Sequence, residues 1–278
     1  MNDLKKLIQN WMPPILLTLV RRVYTGHGYF GNYPTWEAAR RASSGYDTEH
    51  ILEKVKDALL KVKRGEAAYE RDSVLFDRIE YSWPVLTGLL WIASQNDNRL
   101  NVLDFGGSLG SSYFQNRSFL CHLKELRWNV VEQPHFVSCG QENFQDDNLK
   151  FYSNIEACLS ENNPTVLILS SVLPYLEAVD GMLAGMLSQS FPYIIIDRTP
   201  FIKEGEDRIT VQRVPARIYK ASYPCRFLNE TKLLSLFTKA GYKLIADFEA
   251  LDRANIPSIY KGFIFRNINQ NSIQAAEQ

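Results

Sequence analysis

The stretch Asn101-Val102-Leu103-Asp104-Phe105-Gly106-Gly107-Ser108-Leu109-Gly110 carries the strongest structural signal in the chain. Its first half is a short apolar run typical of a buried strand, and a helical pattern begins directly after it at Ser111. Between the two, three glycines let the backbone turn sharply and let a ligand approach without a side chain in the way. Asp104 is expected at the carboxyl end of the strand, where doubly wound sheets bind their ligands. The stretch therefore predicts a strand, a ligand-binding loop and a helix in succession.

From residue 98 onward, apolar runs typical of strands alternate with helical patterns. Strands are predicted at 100–104, 128–131, 149–152, 166–169, 193–196, 242–248 and 260–265. Helices are predicted at 111–123, 136–144, from 155, 174–187 and 229–240. This alternation favours a parallel sheet, and the absence of a helical pattern between the last two strands favours a hairpin. The predicted fold class is α/β, with a doubly wound, largely parallel seven-stranded sheet that ends in an antiparallel hairpin.

The N-terminal region, residues 1–97, has helical patterns at 51–62 and 83–93 but no clear strand run. Its stretch 26–34 is rich in glycine and aromatic residues without periodicity, and we predict a loop there. We expect a helical cap and substrate region at 1–97, an α/β domain at 98–267 and a polar tail at 268–278. The apolar run at 15–20 is too short to span a membrane. It is expected to pack on the protein or, alternatively, to make weak peripheral contact with a membrane surface.

Composition and charge exclude several classes of protein. Hydrophobic residues make up 45% of the 278 residues, which is enough for a full core. The 31 basic and 31 acidic residues balance, which disfavours a general nucleic-acid binder. The four cysteines form no C-x-x-C pair and have no histidine at zinc-ligand spacing. With no signal peptide apparent, we predict a cytoplasmic protein with reduced thiols.

A second acidic residue, Glu132, follows the second predicted strand. An acidic side chain at that position can accept hydrogen bonds from both hydroxyls of a ribose. In consecutive β-α-β order with the glycine loop, it indicates a cofactor that contains adenosine. A dinucleotide fingerprint requires G-x-G-x-x-G, and no register of Gly106, Gly107 and Gly110 supplies that spacing.

The acidic strand end, the glycine loop and the final hairpin, over residues 98–265, resemble the class I S-adenosylmethionine-dependent methyltransferases. In that family the loop has the pattern acidic-x-Gly-x-Gly-x-Gly, and here Ser108 replaces the middle glycine. The resemblance implies S-adenosylmethionine as the cofactor, with Glu132 on the ribose and Gln133 beside the adenine. The residues expected to bind the cofactor are Asp104, Gly106, Gly107, Gly110, Glu132, Gln133 and Ser170.

Several stretches across nearly the whole chain resemble, more narrowly, a family of methyltransferases found among bacterial surface-polysaccharide genes. They are Tyr69-Glu70-Arg71-Asp72-Ser73, Tyr81-Ser82-Trp83-Pro84, the loop from Asp104 to Phe114, Val131-Glu132-Gln133-Pro134-His135-Phe136 and Ile196-Asp197-Arg198-Thr199-Pro200. This resemblance implies a methyltransferase without naming its acceptor.

The ends of the fourth and fifth strands are where catalytic groups are expected. Metal-dependent catechol-type methyltransferases need carboxylates after the fourth strand, and Ser170-Ser171 stands there instead, so we predict no metal. After the fifth strand, Asp197 is a candidate general base and Arg198 a candidate clamp for a phosphate or carboxylate of the acceptor. A structural ion pair is the alternative role for these two residues. His135 is a second candidate base, with a helix-cap or adenine-edge role as its alternative.

The expected acceptor is a hydroxyl of a sugar or sugar-like small molecule. The aromatic residues Tyr29, Phe30, Tyr33 and Trp36 suit stacking on a ring, although aromatic residues often serve only as core. Tyr219 and Tyr223 are expected to close the other side of the site. Two alternatives stay open: a nicotinamide-dependent oxidoreductase acting on sugar nucleotides, and a cofactor-binding partner protein without catalysis.

Overall fold

A computed structural model describes residues 26–45, 48–216, 218 and 221–269. The apolar run at 15–20, the tail after residue 269 and Tyr219 lie outside the described residues. The helices are α1 (Trp36–Arg41), α2 (Thr48–Lys63), α3 (Trp83–Ser94), α4 (Ser111–Leu120), α5 (Pro134–Asn143), α6 (Ile155–Glu161), α7 (Val179–Ser188) and α8 (Glu230–Lys239). The strands are β1 (Gly28–Tyr33), β2 (Tyr69–Arg71), β3 (Val74–Phe76), β4 (Arg99–Phe105), β5 (Glu125–Val131), β6 (Leu149–Tyr152), β7 (Val166–Ser170), β8 (Tyr193–Ile202), β9 (Arg208–Arg213), β10 (Ser222–Asn229), β11 (Tyr242–Glu249) and β12 (Ile259–Asn267).

Seven strands form the central sheet in the order β6-β5-β4-β7-β8-β12-β11. The pairs among β4, β5, β6, β7 and β8 are all parallel. Strand β12 pairs antiparallel with both β8 and β11. The predicted fold class is therefore confirmed, including the antiparallel hairpin that ends the sheet.

Both faces of this sheet are covered, because alternate residues of each strand enter two different cores. In β7, Ile168 packs into a core with α2, α3, α4 and α5, while Leu167 and Leu169 pack into a core with α7 and α8. Strands buried on both faces have the near-continuous apolar sequence of Val166–Ser170. Because β4 to β8 pair in parallel, their carboxyl ends lie at one edge of the sheet.

A second sheet extends from the end of β8. Strand β8 pairs with β7 as far as Asp197 and then continues to Ile202, where it pairs in parallel with β10. Strand β9 lies antiparallel between β10 and β1. The sheet of β1, β9 and β10 thus rises beyond the carboxyl edge of the central sheet.

Three local predictions were wrong. The segment 26–34 contains strand β1 rather than a loop, because its backbone pairs with β9. Residues 69–76 form a β2–β3 hairpin in a region expected to be helical, with Asp72 and Ser73 at positive φ in the turn. The predicted helix at 174–187 begins only at Val179, because the chain first makes a short 3₁₀ turn at Leu173–Tyr175.

Candidate functional site

A cavity of about 1100 Å³ opens at the carboxyl edge of the central sheet, beneath the second sheet. Of the residues predicted for the site, its wall includes Asp104, Gly106, Gly107, Glu132, Gln133, Ser170, Asp197 and Arg198. Gly110 and His135 are not among the described residues that line it. The parallel strands thus bring most of the predicted residues to one place, as expected for strand ends at a single edge.

The glycine loop adopts the left-handed conformation at three of its residues. Gly106, Ser108 and Gly110 have φ of 73°, 55° and 94°. Ser108, which stands where the resembling family has glycine, thus keeps the backbone conformation for which glycine is usually chosen. Gly107 is required for a different reason: a Cβ there would lie 2.6 Å from the carboxyl carbon of Asp104. The loop is therefore folded directly over the Asp104 carboxylate.

Asp104 is almost fully buried, with 1% of its surface exposed. The indole Nε1 of Trp128, on β5, donates a hydrogen bond of 3.0 Å to its Oδ2. Burial raises the pKa of Asp104 to about 7, opposed by the Trp128 hydrogen bond and helped by the charge of Glu132. Asp104 therefore packs against the backbone of the glycine loop, and its pKa lies near neutral pH.

Glu132 links the end of β5 to the glycine loop. Its Oε2 accepts a hydrogen bond of 2.5 Å from the backbone amide of Gln133, and its carboxylate also accepts one from the amide of Ser108. Burial raises the pKa of Glu132, while these two amides lower it. The carboxylate stands on the cavity wall beside the loop, which is the position predicted for a ribose ligand.

Asp197 lies at an irregularity in β8. The register between β8 and β12 shifts between Phe263 and Lys261, so that two β8 residues face Gly262 alone. Such a bulge turns the side chains of its strand in new directions. Asp197 is 4% exposed and lines the cavity, and its Oδ1 has no hydrogen-bond partner among the described residues. Burial raises the pKa of Asp197 to about 6. The positive charge of Arg198 and hydrogen bonds from the Arg198 backbone and the Ser82 side chain lower it.

Arg198, the next residue, has φ of 51° and forms two ion pairs. Its Nε and one terminal nitrogen each contact Asp252 at 3.1 Å, and the same terminal nitrogen contacts Asp72 at 2.9 Å. Asp72 is in the β2–β3 turn and Asp252 follows β11. The sequence left two roles open for Arg198, an acceptor clamp and a structural ion pair. The structure shows the ion pairs, in which the guanidinium joins two carboxylates.

His135, the second candidate base, is not among the described residues that line the cavity. It sits in the first turn of α5, its ring packs 5.0 Å from the ring of Phe136, and its Nε2 is buried without a partner among the described residues. Its role as a base therefore stays a prediction, beside the helix-cap and adenine-edge alternatives.

Sequence reasoning missed Glu70, a buried carboxylate on the same wall. Its two oxygens accept hydrogen bonds from the Ser111 hydroxyl at 2.5 Å and from the Ser73 amide at 2.6 Å. Burial raises its pKa to about 7. The polar stretch 69–73 stood out in the sequence between apolar residues, but only the fold places it against the first residue of α4.

The side of the cavity opposite the glycine loop carries aromatic and amide side chains. Tyr29, Trp36 and Tyr223, which the sequence had singled out, line it. Tyr175, Gln212 and Tyr260 join them. The hydroxyls of Tyr29 and Tyr260 are 2.7 Å apart, and the Tyr175 hydroxyl donates to the amide oxygen of Gln212 at 2.8 Å. Strands β9 and β10, which carried no clear pattern, build much of this wall.

The described residues contain neither a metal-site cluster nor a helix able to cross a membrane. No cluster of three or more His, Cys, Asp or Glu side chains there has the arrangement of a metal site. Within the same residues, no helix combines the length and the hydropathy that crossing a bilayer would require.

Comparison with known proteins gave structural likenesses only. No family model matches the chain, and no curated protein matches it in sequence. One similar structure is the Burkholderia thailandensis 1,6-didemethyltoxoflavin-N1-methyltransferase with 1,6-didemethyltoxoflavin and S-adenosylhomocysteine bound. Its identity is 13% and its TM-score 0.40, over 80% of this chain and 91% of that one. A second is the magnesium protoporphyrin IX methyltransferase of Synechocystis PCC 6803 with S-adenosylmethionine bound, at 12% identity and TM-score 0.44, over 81% and 99%.

A third is the N-terminal domain of EvdMO1 in the presence of S-adenosylhomocysteine and D-fucose. It shares 12% identity and a TM-score of 0.46, over 80% of this chain and 97% of that one. The ligands named here are those bound by these other proteins. The fold of the present chain is established by its own strand order and pairing.

Proposed function

We propose that this protein is an S-adenosylmethionine-dependent methyltransferase that methylates a hydroxyl of a sugar or sugar-like small molecule. The observation that carries the proposal is Asp197, a buried carboxylate with an unpartnered oxygen, in the same cavity as the glycine loop and Glu132. A residue that can take a proton thus lines the same cavity as a loop suited to an adenosine cofactor. The seven-stranded sheet with its antiparallel hairpin agrees with the resemblance to class I methyltransferases.

The residues of the cavity fit this cofactor. Glu132 offers a carboxylate to the ribose hydroxyls, and Gln133 lies next to it for the adenine. The glycine loop and Ser170 line the neighbouring strand ends, where the methionine portion would lie. A buried carboxylate such as Asp104 favours a ligand that carries positive charge. When bound, the cofactor supplies a methyl group on a positively charged sulfur, which is an electrophile.

The protein must supply the base and hold the acceptor in line. An alcohol has to lose its proton to become an ether, and Asp197 accepts that proton at Oδ1. With a pKa of about 6, its carboxylate is largely ionised at pH 7 yet still basic enough to take a proton, which is the range expected of a general base. The aromatic wall formed by Tyr29, Tyr175 and Tyr260 holds the acceptor and keeps water away.

No divalent metal is needed in this scheme, because β7 ends at Ser170 and Ser171 follows it, where a metal site would need carboxylates. Turnover should be unchanged by an excess of chelator. Turnover that vanishes with the chelator and returns with magnesium would contradict the scheme.

The narrower family resemblance suggests where the reaction takes place. We propose that the acceptor is an intermediate of bacterial surface-glycan assembly, methylated in the cytoplasm. The two rival functions make different predictions: the oxidoreductase binds reduced nicotinamides rather than S-adenosylmethionine, and the partner protein binds a cofactor but yields no product.

The decisive experiment compares Asp197→Asn with His135→Ala. Removing a general base typically slows turnover about 10²–10⁴-fold, so we expect Asp197→Asn to lose turnover within that range and to bind S-adenosylmethionine as before. His135→Ala should keep nearly full turnover. In the native protein, kcat/KM should rise with pH through about pH 6 as Asp197 ionises, and Asp197→Asn should lack this limb.

The acceptor is identified by screening glycan intermediates beside small amines, thiols and nucleic acids. Equal turnover of the native protein and Asp197→Asn would remove Asp197 from the mechanism. Methylation of a non-sugar acceptor, with none of any glycan, would overturn the acceptor class.

A further inference from the structure

The cavity wall carries many more acidic than basic side chains. Its described lining residues include nine with acidic side chains and two with basic ones, Arg71 and Arg198. A cleft lined by charges of one sign focuses their field and repels ligands of the same sign. The overall neutrality of the chain therefore conceals a local acidic surface at the site.

Both of these arginines are already engaged in ion pairs. Arg71 pairs with Glu80 at 3.3 Å. Arg198 is held by Asp252 on one side and by Asp72 on the other. A phosphate or carboxylate that enters the cavity would have to displace one of these carboxylates. It would also lie near Asp197, whose Oδ1 is buried without a partner among the described residues.

The wall opposite the glycine loop carries uncharged groups that can hold a neutral ring. Tyr29, Tyr175 and Tyr260 present hydroxyls joined in pairs to each other or to Gln212. A tyrosine offers an apolar ring face together with a hydroxyl that both donates and accepts. This combination suits a polyhydroxylated ring and provides no counter-charge for a phosphate.

We propose that the acceptor is a neutral polyhydroxylated ring, such as an unphosphorylated glycoside, and that Asp72 and Asp252 exclude phosphate-bearing and nucleotide-linked sugars by holding Arg198. This rests on the proposed function and narrows its substrate class. It also withdraws the acceptor phosphate that the sequence had suggested for Arg198. The anion is disfavoured both by the acidic wall and by the ion pairs that hold Arg71 and Arg198 among the described lining residues.

The test measures binding rather than turnover, so it can fail independently of the proposed function. The probes are the methyl glycosides of several hexoses, the corresponding hexose 1-phosphates and their uridine diphosphate derivatives. Binding to the protein saturated with S-adenosylhomocysteine is followed by calorimetry at low, constant ionic strength, because salt screens the charges. Binding of the cofactor product is measured first, and its failure alone would count against the methyltransferase, not against the charge selectivity of the cavity.

The native protein is compared with the double variant Asp72→Asn/Asp252→Asn, which leaves Arg198 without its carboxylates. The matched control is Asp180→Asn, which breaks the ion pair with Lys232 outside the cavity. We expect native protein to bind every phosphate-bearing probe at least tenfold more weakly than its neutral counterpart, or not detectably. The double variant should bind the phosphate-bearing probes at least tenfold more tightly than native protein does, and the control should not.

Two results would overturn the proposal. The first is a phosphate-bearing probe that native protein binds more tightly than the matching methyl glycoside. The second is a correctly folded double variant, verified by its circular dichroism spectrum, that gains no affinity for any phosphate-bearing probe. If native protein binds neither class of probe detectably, a gain of affinity for phosphate-bearing probes in the double variant supports the exclusion through Arg198, and no gain overturns it.

Discussion

At the scale of single residues, three carboxylates at the ends of adjacent strands differ because their hydrogen bonds differ. Asp104 accepts a hydrogen bond from an indole, Glu132 accepts two from backbone amides, and Asp197 has one oxygen without any partner among the described residues. When carboxylates in one site have different surroundings, their pKa values differ, and one can then act as an acid, another as a base and another in binding. Here Asp104 and Glu132 contact the glycine loop, and Asp197, which is hydrogen-bonded to Ser82 and the Arg198 backbone, keeps Oδ1 without a partner among the described residues.

Glu132→Ala should weaken the binding of S-adenosylmethionine at least tenfold. A charge-assisted hydrogen bond contributes about 1.5–3 kcal/mol, and the substitution also removes the acceptor for the amides of Gln133 and Ser108. Calorimetry on both proteins measures the effect.

Glu132→Gln is the matched control, since its amide oxygen can still accept from these backbone groups. It should lie between the native protein and Glu132→Ala. Equal affinity of all three proteins would show that Glu132 does not hold the ribose.

At the scale of elements, the end of β8 does most to build the site. At the bulge, two adjacent residues of β8 have different surroundings: Asp197 lines the cavity, and Arg198 contacts Asp72 and Asp252. The strand then continues for five residues past the edge of β7 and starts the second sheet. Arg198 thereby ties the β2–β3 hairpin to the loop after β11.

Replacing Arg198 by methionine should lower the free energy of unfolding by about 2 kcal/mol. The loss follows because hydrogen bonds to charged groups contribute about 1.5–3 kcal/mol and two carboxylates lose their partner. Since the Arg198 charge lowers the pKa of Asp197, the acid limb of kcat/KM should also move above pH 6. Denaturant unfolding and a pH profile measure the two effects.

If Arg198 only stabilises the fold and does not affect Asp197, the acid limb of the pH profile should not move in the methionine variant. Adding Asp252→Asn to the methionine variant should restore part of the lost stability, because one unpaired carboxylate is removed. Absence of both the destabilisation and the shifted limb would contradict the assigned ion pairs.

At the scale of the whole molecule, the central sheet was predictable and the second sheet was not. The run Tyr193-Ile194-Ile195-Ile196 identified a strand, but its continuation through Asp197, Arg198 and Pro200 lacks the apolar pattern that signals one. Strand β1 was hidden by glycines, whose presence normally indicates a loop.

In the site, too, the residues of the central sheet were predictable from the sequence and the contacts made by distant segments were not. Loop and strand-end residues follow from the β-α-β order, so Asp104 and Glu132 could be placed from sequence. The partners of Arg198 could not, because Asp72 and Asp252 are distant in the chain and meet only through the hairpin and the loop after β11.

The cavity's buried carboxylates should make the cofactor-free protein more stable at pH 5 than at pH 8. Glu70, Asp104 and Asp197 have pKa values of about 7, 7 and 6, raised by burial above the ordinary values near 4. Between pH 4 and 7 the folded protein therefore binds more protons than the unfolded chain, and stability falls as pH rises through this window. Carboxylates with lowered pKa, such as Asp97 and Asp247, act in the opposite sense but only below about pH 4.

The free energy of unfolding, measured with denaturant at both pH values, should drop by roughly 1–3 kcal/mol for each group that is forced to ionise. Asp197→Asn should remove its share, so the variant should be more stable than native protein at pH 8 and similar at pH 4.5. Asp180→Asn, at a carboxylate 61% exposed, should leave the pH dependence unchanged. A native protein that is more stable at pH 8 than at pH 5 would show that these carboxyl groups are not buried in the folded state.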